Sequence, residues 1–367
     1  MNKLWQKNYT QNPIAGAYCF GDGAVLDNQL VLYDVLGSMA HAKMLGKIKL
    51  LTEKEVLAIH LALQKVLALY QQGKFVVQLE DEDVHTKIEN YLTDALGDVG
   101  GKIHTGRSRN DQVLLDLRLY TKENLFHIAL LCLDVAHTFI MFAKTHEFVV
   151  MPGYTHMQKA MPSSIGMWAG SFAESLLDDV TMIKAAIALN DQNPLGSGAA
   201  YGVSLPLDRA EVTSLLGFSK TQNNSLYCQV SRGKSHLATM SALTQIMVTL
   251  GRFAQDMLLF TTSEFNFFTI TDALCTGSSI MPQKKNVDVM EILRARVHSV
   301  ISLEQSVSSI IAGLPSGYNA DYGETKAPFM KAVKTASSSL ALVSLIIASI
   351  LLPFIFFQIT QSLKDKI

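Results

Sequence analysis

The sequence predicts an all-α protein organised around a long central helical bundle, and three features point there. Apolar residues recur at helical rather than alternating spacing through most of the chain. Three long runs, Asp111 to Thr145, Ser163 to Leu189 and Gly233 to Thr261, contain no proline and are rich in Leu, Ala and Met. Stripes of that length are stable only when buried against one another, as in a bundle. No segment repeats at the period of a solenoid.

Taken in order, the N-terminal stretch MNKLWQKNYTQNP has no apolar core of signal-peptide length. From Thr52 to Tyr70, Val56, Ile59, Leu63, Val66 and Leu67 fall on one stripe, and Thr52 with Glu55 has the spacing of a capping box, so an amphipathic helix is expected. Between the long runs lie turn-rich segments: Gly97 to Asp111, Met151 to Pro162, Asn193 to Pro206, Thr276 to Asn286 and Gly313 to Thr325. Polar loops at the ends of a rigid bundle are where a site collects. From Leu340 to Phe357 no residue is charged, and the run reaches the lower length of a membrane span, about 17 residues. A helix buried in the bundle reads the same way, so a membrane anchor through 340–357 stays open beside it.

Composition narrows the functions. The 367 residues are 49% hydrophobic and 17% charged, with 31 basic against 32 acidic side chains and a net charge of -1. No cationic block offers a surface to a phosphate backbone, so nucleic acid is not an expected partner. Four cysteines without a CxxC pair suggest neither a zinc site nor a disulfide framework, and a cytoplasmic setting is expected. There is no P-loop, no HExxH and no GxSxG around Ser278 and Ser279.

Several loops carry residues suited to chemistry. GSSIMPQKKN places a mobile hydroxyl, Lys284 and Asn286 ahead of a helix expected to begin near Val287, an anion-binding corner or a plain linking loop. HTGRSRNDQ puts Arg107, Ser108, Arg109 and Asn110 just before a long helix, donors suited to a carboxylate or a solvated helix start. PGYTHMQ offers Thr155 and His156, the latter an acid or base if it is not structural. DEDVHTKIE sets His85 beside Asp81, Glu82 and Asp83, a poor metal site because no second His or Cys lies at ligand spacing.

Together HTGRSRNDQ, PGYTHMQKAMP, LGSGAAYG, TSEF and GSSIMPQKKN, in this order, resemble the argininosuccinate lyase family of the fumarase/aspartase superfamily. The resemblance implies a small N-terminal helical domain over 1–106, a central bundle over 107–339, and an apolar tail over 340–367 where the family's C-terminal domain would largely stand. It implies a homotetramer whose active sites are built from loops of different subunits, and a cofactor-free, metal-free anti elimination that splits argininosuccinate into arginine and fumarate. Ser278 would be the base, Lys284 and Asn286 would hold the carboxylate that gains charge, and His156 would serve the leaving nitrogen with Glu291 as its carboxylate partner. Substrate would be bound by Asn286, Thr155, Ser108, Arg109, Asn110, Ser38, His85 and Tyr318. A serine is a feeble base, so Ser278 needs backbone donors, nearby cations and exclusion of water. Glu291, early in a helix, is favoured there by the helix dipole as well.

The chain departs from the family pattern in places. Val287 stands where a proline is usual, Gly323 where a glutamine is common and Ala320 where a basic residue is common, and the lost amide removes a polar substrate contact. The apolar tail leads to the expectation of an intact fold and tetramer with impaired activity. The alternatives are an inactive, structural tetramer and another fumarate-releasing lyase, against which RSRND argues.

Overall fold

A computed structural model describes residues 12–20 and 23–353. Helices α1 (Pro13–Phe20), α2 (Gly23–Asp27), α3 (Val31–Lys47), α4 (Glu53–Gln71), α5 (Val84–Leu96) and α6 (Asp98–Gly101) precede the long α7 (Arg109–Thr145). A hairpin of β1 (Val150–Thr155) and β2 (Gln158–Ser164) leads to α8 (Ile165–Asn190), β3 (Gln192–Asn193), α9 (Arg209–Leu215), β4 (Lys220–Thr221) and α10 (Ser225–Phe260). Then come β5 (Thr269–Ile270), β6 (Thr276–Gly277), β7 (Lys285–Asn286), α11 (Asp288–Ile311), α12 (Lys326–Ser349) and β8 (Ile350–Leu351). The fold is all-α in character; among the described residues the strands form only two-stranded pairs.

The described residues divide into two compact units, each drawn from three chain segments. The first comprises those within Met1–Glu123, Ala188–Leu237 and Val307–Pro328; the second comprises those within Asn124–Ile187, Ala238–Ser306 and Phe329–Ile367. Division by packing thus differs from division at residues 106 and 339, because the long helices contribute residues to both units.

In the first unit, α4 forms where its apolar period and cap direct. Thr52 accepts from the Glu55 amide at 3.3 Å while Glu55 accepts from the Thr52 amide at 2.8 Å, closing the capping box. Ile59, Leu63 and Val66 are buried, and Val56 and Leu67 flank them half-buried. Near the α8 C-terminus, the buried Arg118 donates to the carbonyls of Leu189 (3.0 Å) and Asn190 (3.3 Å), satisfying oxygens that a helix end leaves unpaired.

The second unit is held by aromatic packing between helices. Phe139 of α7 stacks on Phe172 of α8 at 5.3 Å and meets Phe253 of α10 edge-on at 5.2 Å. Trp168 joins them, its indole N–H donating to Asp256 at 2.9 Å. Gly251 lets α10 approach α11, since a Cβ there would lie 2.8 Å from Val297 Cγ2.

The apolar C-terminal run is not one continuous span. It stays helical to Ser349, with Leu340, Val343, Ile346 and Ile347 buried, and then turns into β8, which pairs with β5. Ser349, the last helical residue, bonds back to the Ile346 carbonyl at 2.8 Å. Residues 354–357 lie outside the described residues. By length and composition alone, two helical stretches, Arg109–Thr145 and Ala320–Ser349, could cross a membrane; part of each apolar window is buried within the protein, as in a core helix.

Candidate active site

The site residues fall into two groups, one in each compact unit. In the first unit the HTGRSRND segment is tied down by Asp111. This fully buried carboxylate accepts from the amides of Ser108 (2.9 Å), Gly196 (3.0 Å) and Gly198 (2.9 Å). Gly196 and Gly198 have φ of +87° and +61°, the left-handed backbone that turns both amides toward one acceptor. Burial pushes the Asp111 carboxyl up, against the pull of these donors. Asp111 therefore clasps the loop bearing Ser108, Arg109 and Asn110 to the LGSGAAYG loop. Ser108 Oγ accepts from the Asn110 amide at 3.3 Å, in the cap of α7.

Beneath this loop Arg107 donates to Ser38 Oγ at 2.8 Å, and Ser38 lies one helical turn from Asp34, 3.4 Å away. Asp34 pairs closely with His85, which lies 3.8 Å from Asp116. Burial opposes the charge on His85, but Asp34 and its hydrogen bond prevail and lift it to about 9. Burial likewise opposes Asp34, yet His85 and Arg107 hold its carboxyl below the usual range. Asp116, disfavoured by burial and by Asp34, is pushed well above that range. Asp34, His85 and Asp116 are close enough to offer three ligand atoms to a cation. The protonated imidazole and Arg107 already offset the carboxylates, so the cluster reads as an ion-pair network.

The network has a pH signature. His85 is raised above its unfolded value of 6.5, so its contribution is complete below that pH and is lost as pH rises through about 9. Asp116, also raised, acts in the same direction, whereas the Asp34 contribution is lost only as pH falls through the acidic range. Thermal melts are expected to show Tm falling between pH 6.5 and 9, with His85→Gln flattening that limb.

The remaining first-unit residues are Arg109 and Tyr318. Arg109 is engaged by Glu82, by Asp83 at 2.8 Å and by Thr86 at 2.9 Å. Tyr318 is exposed.

In the second unit, Thr155 ends β1 and pairs with Gln158, leaving His156 and Met157 as a two-residue turn. Both have positive φ, 53° and 62°, the signature of a tight type I′ hairpin turn made without glycine. Such backbone strain on an exposed imidazole is a mark of functional positions. The GSSIMPQKKN loop is closed at its base by β6 and β7, Thr276 opposite Asn286 and Gly277 opposite Lys285. Ser278 Oγ accepts from the Met281 amide at 3.2 Å, and the Lys284 amide bonds back to the Met281 carbonyl at 3.0 Å. Ser278, Lys284 and Asn286 thus share one small closed loop immediately before α11. The Val287 carbonyl accepts from the Met290 amide at 2.9 Å, so the turn forms without the usual proline. Glu291 lies exposed in the first turn of α11, and within one chain no hydrogen bond joins it to His156.

The sequence did not single out Asp34, Asp111 or Asp116. Their partners lie far along the chain.

A lyase family model matches residues 15–302. The argininosuccinate lyase of Phocaeicola vulgatus is 43% identical over 348 residues, covering 95% of this chain and 78% of the relative. That of Thermotoga neapolitana is 40% identical over 344 residues, covering 94% and 86%. Among solved structures, EDDS lyase in complex with formate superposes with a TM-score of 0.81 at 24% identity, covering 94% of this chain and 68% of that one, a likeness of fold. Identity of that level across nearly the whole chain, with the motif loops folded as described, places this protein in the argininosuccinate lyase family.

Proposed function

We propose that this protein cleaves argininosuccinate to L-arginine and fumarate by anti elimination across the C–N bond, as a cytoplasmic homotetramer acting in arginine biosynthesis. The observation that carries the reading is the closed loop holding Ser278, Lys284 and Asn286 ahead of α11. Ser278 as its alkoxide takes the proton next to the succinyl carboxylate. The Met281 N–H, already aimed at Ser278 Oγ, favours that anion, and Lys284 lies in the same loop, whereas Lys285 is paired with Asp272. Electron density moves into the carboxylate, which Lys284 and the Asn286 amide stabilise more in the transition state than in the ground state. The C–N bond breaks as the arginine nitrogen leaves, and His156 supplies its proton directly or through water.

In one chain His156 and Glu291 do not meet, which supports a site completed by loops of other subunits. Glu291 of a neighbouring copy then orients His156, while Thr155, Ser108, Asn110 and Tyr318 bind substrate and the buried Ser38 holds Arg107 beneath them. Arg109 and His85, engaged within the fold, serve by positioning that surface. The test is a substrate panel: argininosuccinate is expected to release fumarate, whereas malate, aspartate and adenylosuccinate are not. Release from one of those three and none from argininosuccinate would replace the reading with another lyase of the superfamily.

Gly323 bears on substrate affinity. Nothing lies within 4 Å of a Cβ built there, so a larger side chain fits without strain. Gly323→Gln is expected to lower KM for argininosuccinate by roughly three- to tenfold, one neutral hydrogen bond's worth, with kcat little changed. Steady-state kinetics of the two proteins check it.

A further inference from the structure

The TSEF segment, Thr262 to Phe265, lies just past the end of α10 and meets the His156 hairpin. After Phe260 the chain reverses sharply. The Phe267 and Phe268 amides both donate to the Phe260 carbonyl, at 2.8 and 3.2 Å, and the Asn266 amide donates to the Thr262 carbonyl at 2.8 Å. The Phe265 amide donates to Thr262 Oγ1 at 3.3 Å, and Asn266 takes left-handed backbone, with φ of 46°. The result is a stiff turn that presents Phe260, Phe265 and Phe267 together, Phe265 and Phe267 being 5.6 Å apart. The next residue, Phe268, is fully buried, 5.0 Å from Trp168.

The ring of Tyr154 rests on this turn. Its centroid is 5.7 Å from that of Phe265 and 6.4 Å from those of Phe260 and Phe267, within the range over which aromatic pairs attract. From Tyr154 to Pro162, every residue except Tyr154 is exposed. The ladder alone does not fix the tip. Its register shifts between Pro152 and Tyr154, and beyond that irregularity only Tyr154 with Lys159 and Thr155 with Gln158 remain paired; such an irregularity is where a strand bends. The strained turn of His156 and Met157 lies just past those pairs, and strain persists only where the surroundings over-determine it. Among the described residues no hydrogen bond involves the Tyr154 hydroxyl, so the attachment is made by the ring.

We propose that Tyr154 is a positioning residue for His156. Seated on Phe260, Phe265 and Phe267, its ring sets the angle of the hairpin tip, and with it the point at which the imidazole delivers its proton to the leaving nitrogen. This rests on the lyase reading and deepens it. His156 stands two residues, about 7 Å of strand, beyond Tyr154. A tilt of roughly 10° at the ring therefore moves it by about 1 Å, and a misplacement of that size costs on the order of a hundredfold in rate.

The test is steady-state kinetics on argininosuccinate with the full chain, for Tyr154→Leu and Tyr154→Phe, and for Tyr154→Leu added to His156→Gln. Tyr154→Leu is expected to lower kcat at least about tenfold while KM changes less than about threefold. Tyr154→Phe, which keeps the ring, is expected to restore kcat to within about threefold of wild type. Added to His156→Gln, where no imidazole is left to place, Tyr154→Leu is expected to lower kcat less than about twofold further. Phe265→Leu, which thins the seat from the other side, is expected to lower kcat in the same way, and it carries the test if Tyr154→Leu does not fold. Wild-type kcat in the leucine variant that carries the test, a phenylalanine variant as slow as Tyr154→Leu, or the full loss repeated without His156 would overturn the proposal. Failure of the lyase reading shows separately, as no fumarate from argininosuccinate by the wild-type protein.

Discussion

Ser278→Ala is expected to reduce fumarate release from argininosuccinate on the order of a thousandfold or more while leaving the protein folded. The two halves of that expectation have different origins. Chemically, alanine removes the one hydroxyl in the loop that accepts the Met281 N–H. Without a base, the C–H proton has no acceptor, and Lys284 stabilises a carboxylate that never gains charge. Structurally, the loop is closed by the β6–β7 ladder and not by Ser278. Losing its hydrogen bond, in a largely exposed loop, costs about 1 kcal/mol at most. Turnover followed by fumarate absorbance, alongside a thermal melt, separates the two. A large loss of Tm would shift the explanation from chemistry to folding.

Asp111 is expected to show the opposite pattern, a large effect on stability from a residue that touches no reacting atom. Asp111→Ala leaves the buried amides of Gly196 and Gly198 and the half-buried amide of Ser108 without their acceptor. An unsatisfied buried donor costs roughly 1–3 kcal/mol, so the clasp is worth several kcal/mol even after the loops relax. Asp111→Asn retains one acceptor oxygen but adds donors facing donors, and is expected to recover only part of that loss. Because the clasp positions Ser108 and Asn110, KM for argininosuccinate is expected to rise more than kcat falls. Denaturant melts and steady-state kinetics check both statements. Wild-type stability in Asp111→Ala would mean that the two loops are held by something else.

Legibility in the sequence followed the range of the interactions involved. The α4 cap and stripe were readable because every partner lies within a few residues, and the long proline-free runs marked α7, α8 and α10 to within a turn at most ends. The early start of α10, at Ser225 rather than Gly233, was hidden because its cap is Asn224, whose side chain accepts from the Tyr227 amide at 2.9 Å inside a polar stretch. The hairpin at 150–164 read as a loop, since Pro152, Gly153 and Pro162 are turn residues; Pro152 and Pro162 face each other on a ribbon with open edges, where a missing amide is tolerated. His85 was weighed as a metal ligand by local spacing, yet its partners, Asp34 and Asp116, come from α3 and α7. The motif residues were legible as types; that His156 occupies a strained turn and Glu291 a separate helix start was not.

The central claim is C–N elimination of argininosuccinate at the Ser278 loop. Its most direct test follows arginine and fumarate together, in one reaction, for the wild-type protein and for Ser278→Ala prepared alike. The account predicts equal amounts of the two products from the wild type and neither from the variant. No products from a folded, assembled wild-type protein, or products undiminished in Ser278→Ala, would contradict it.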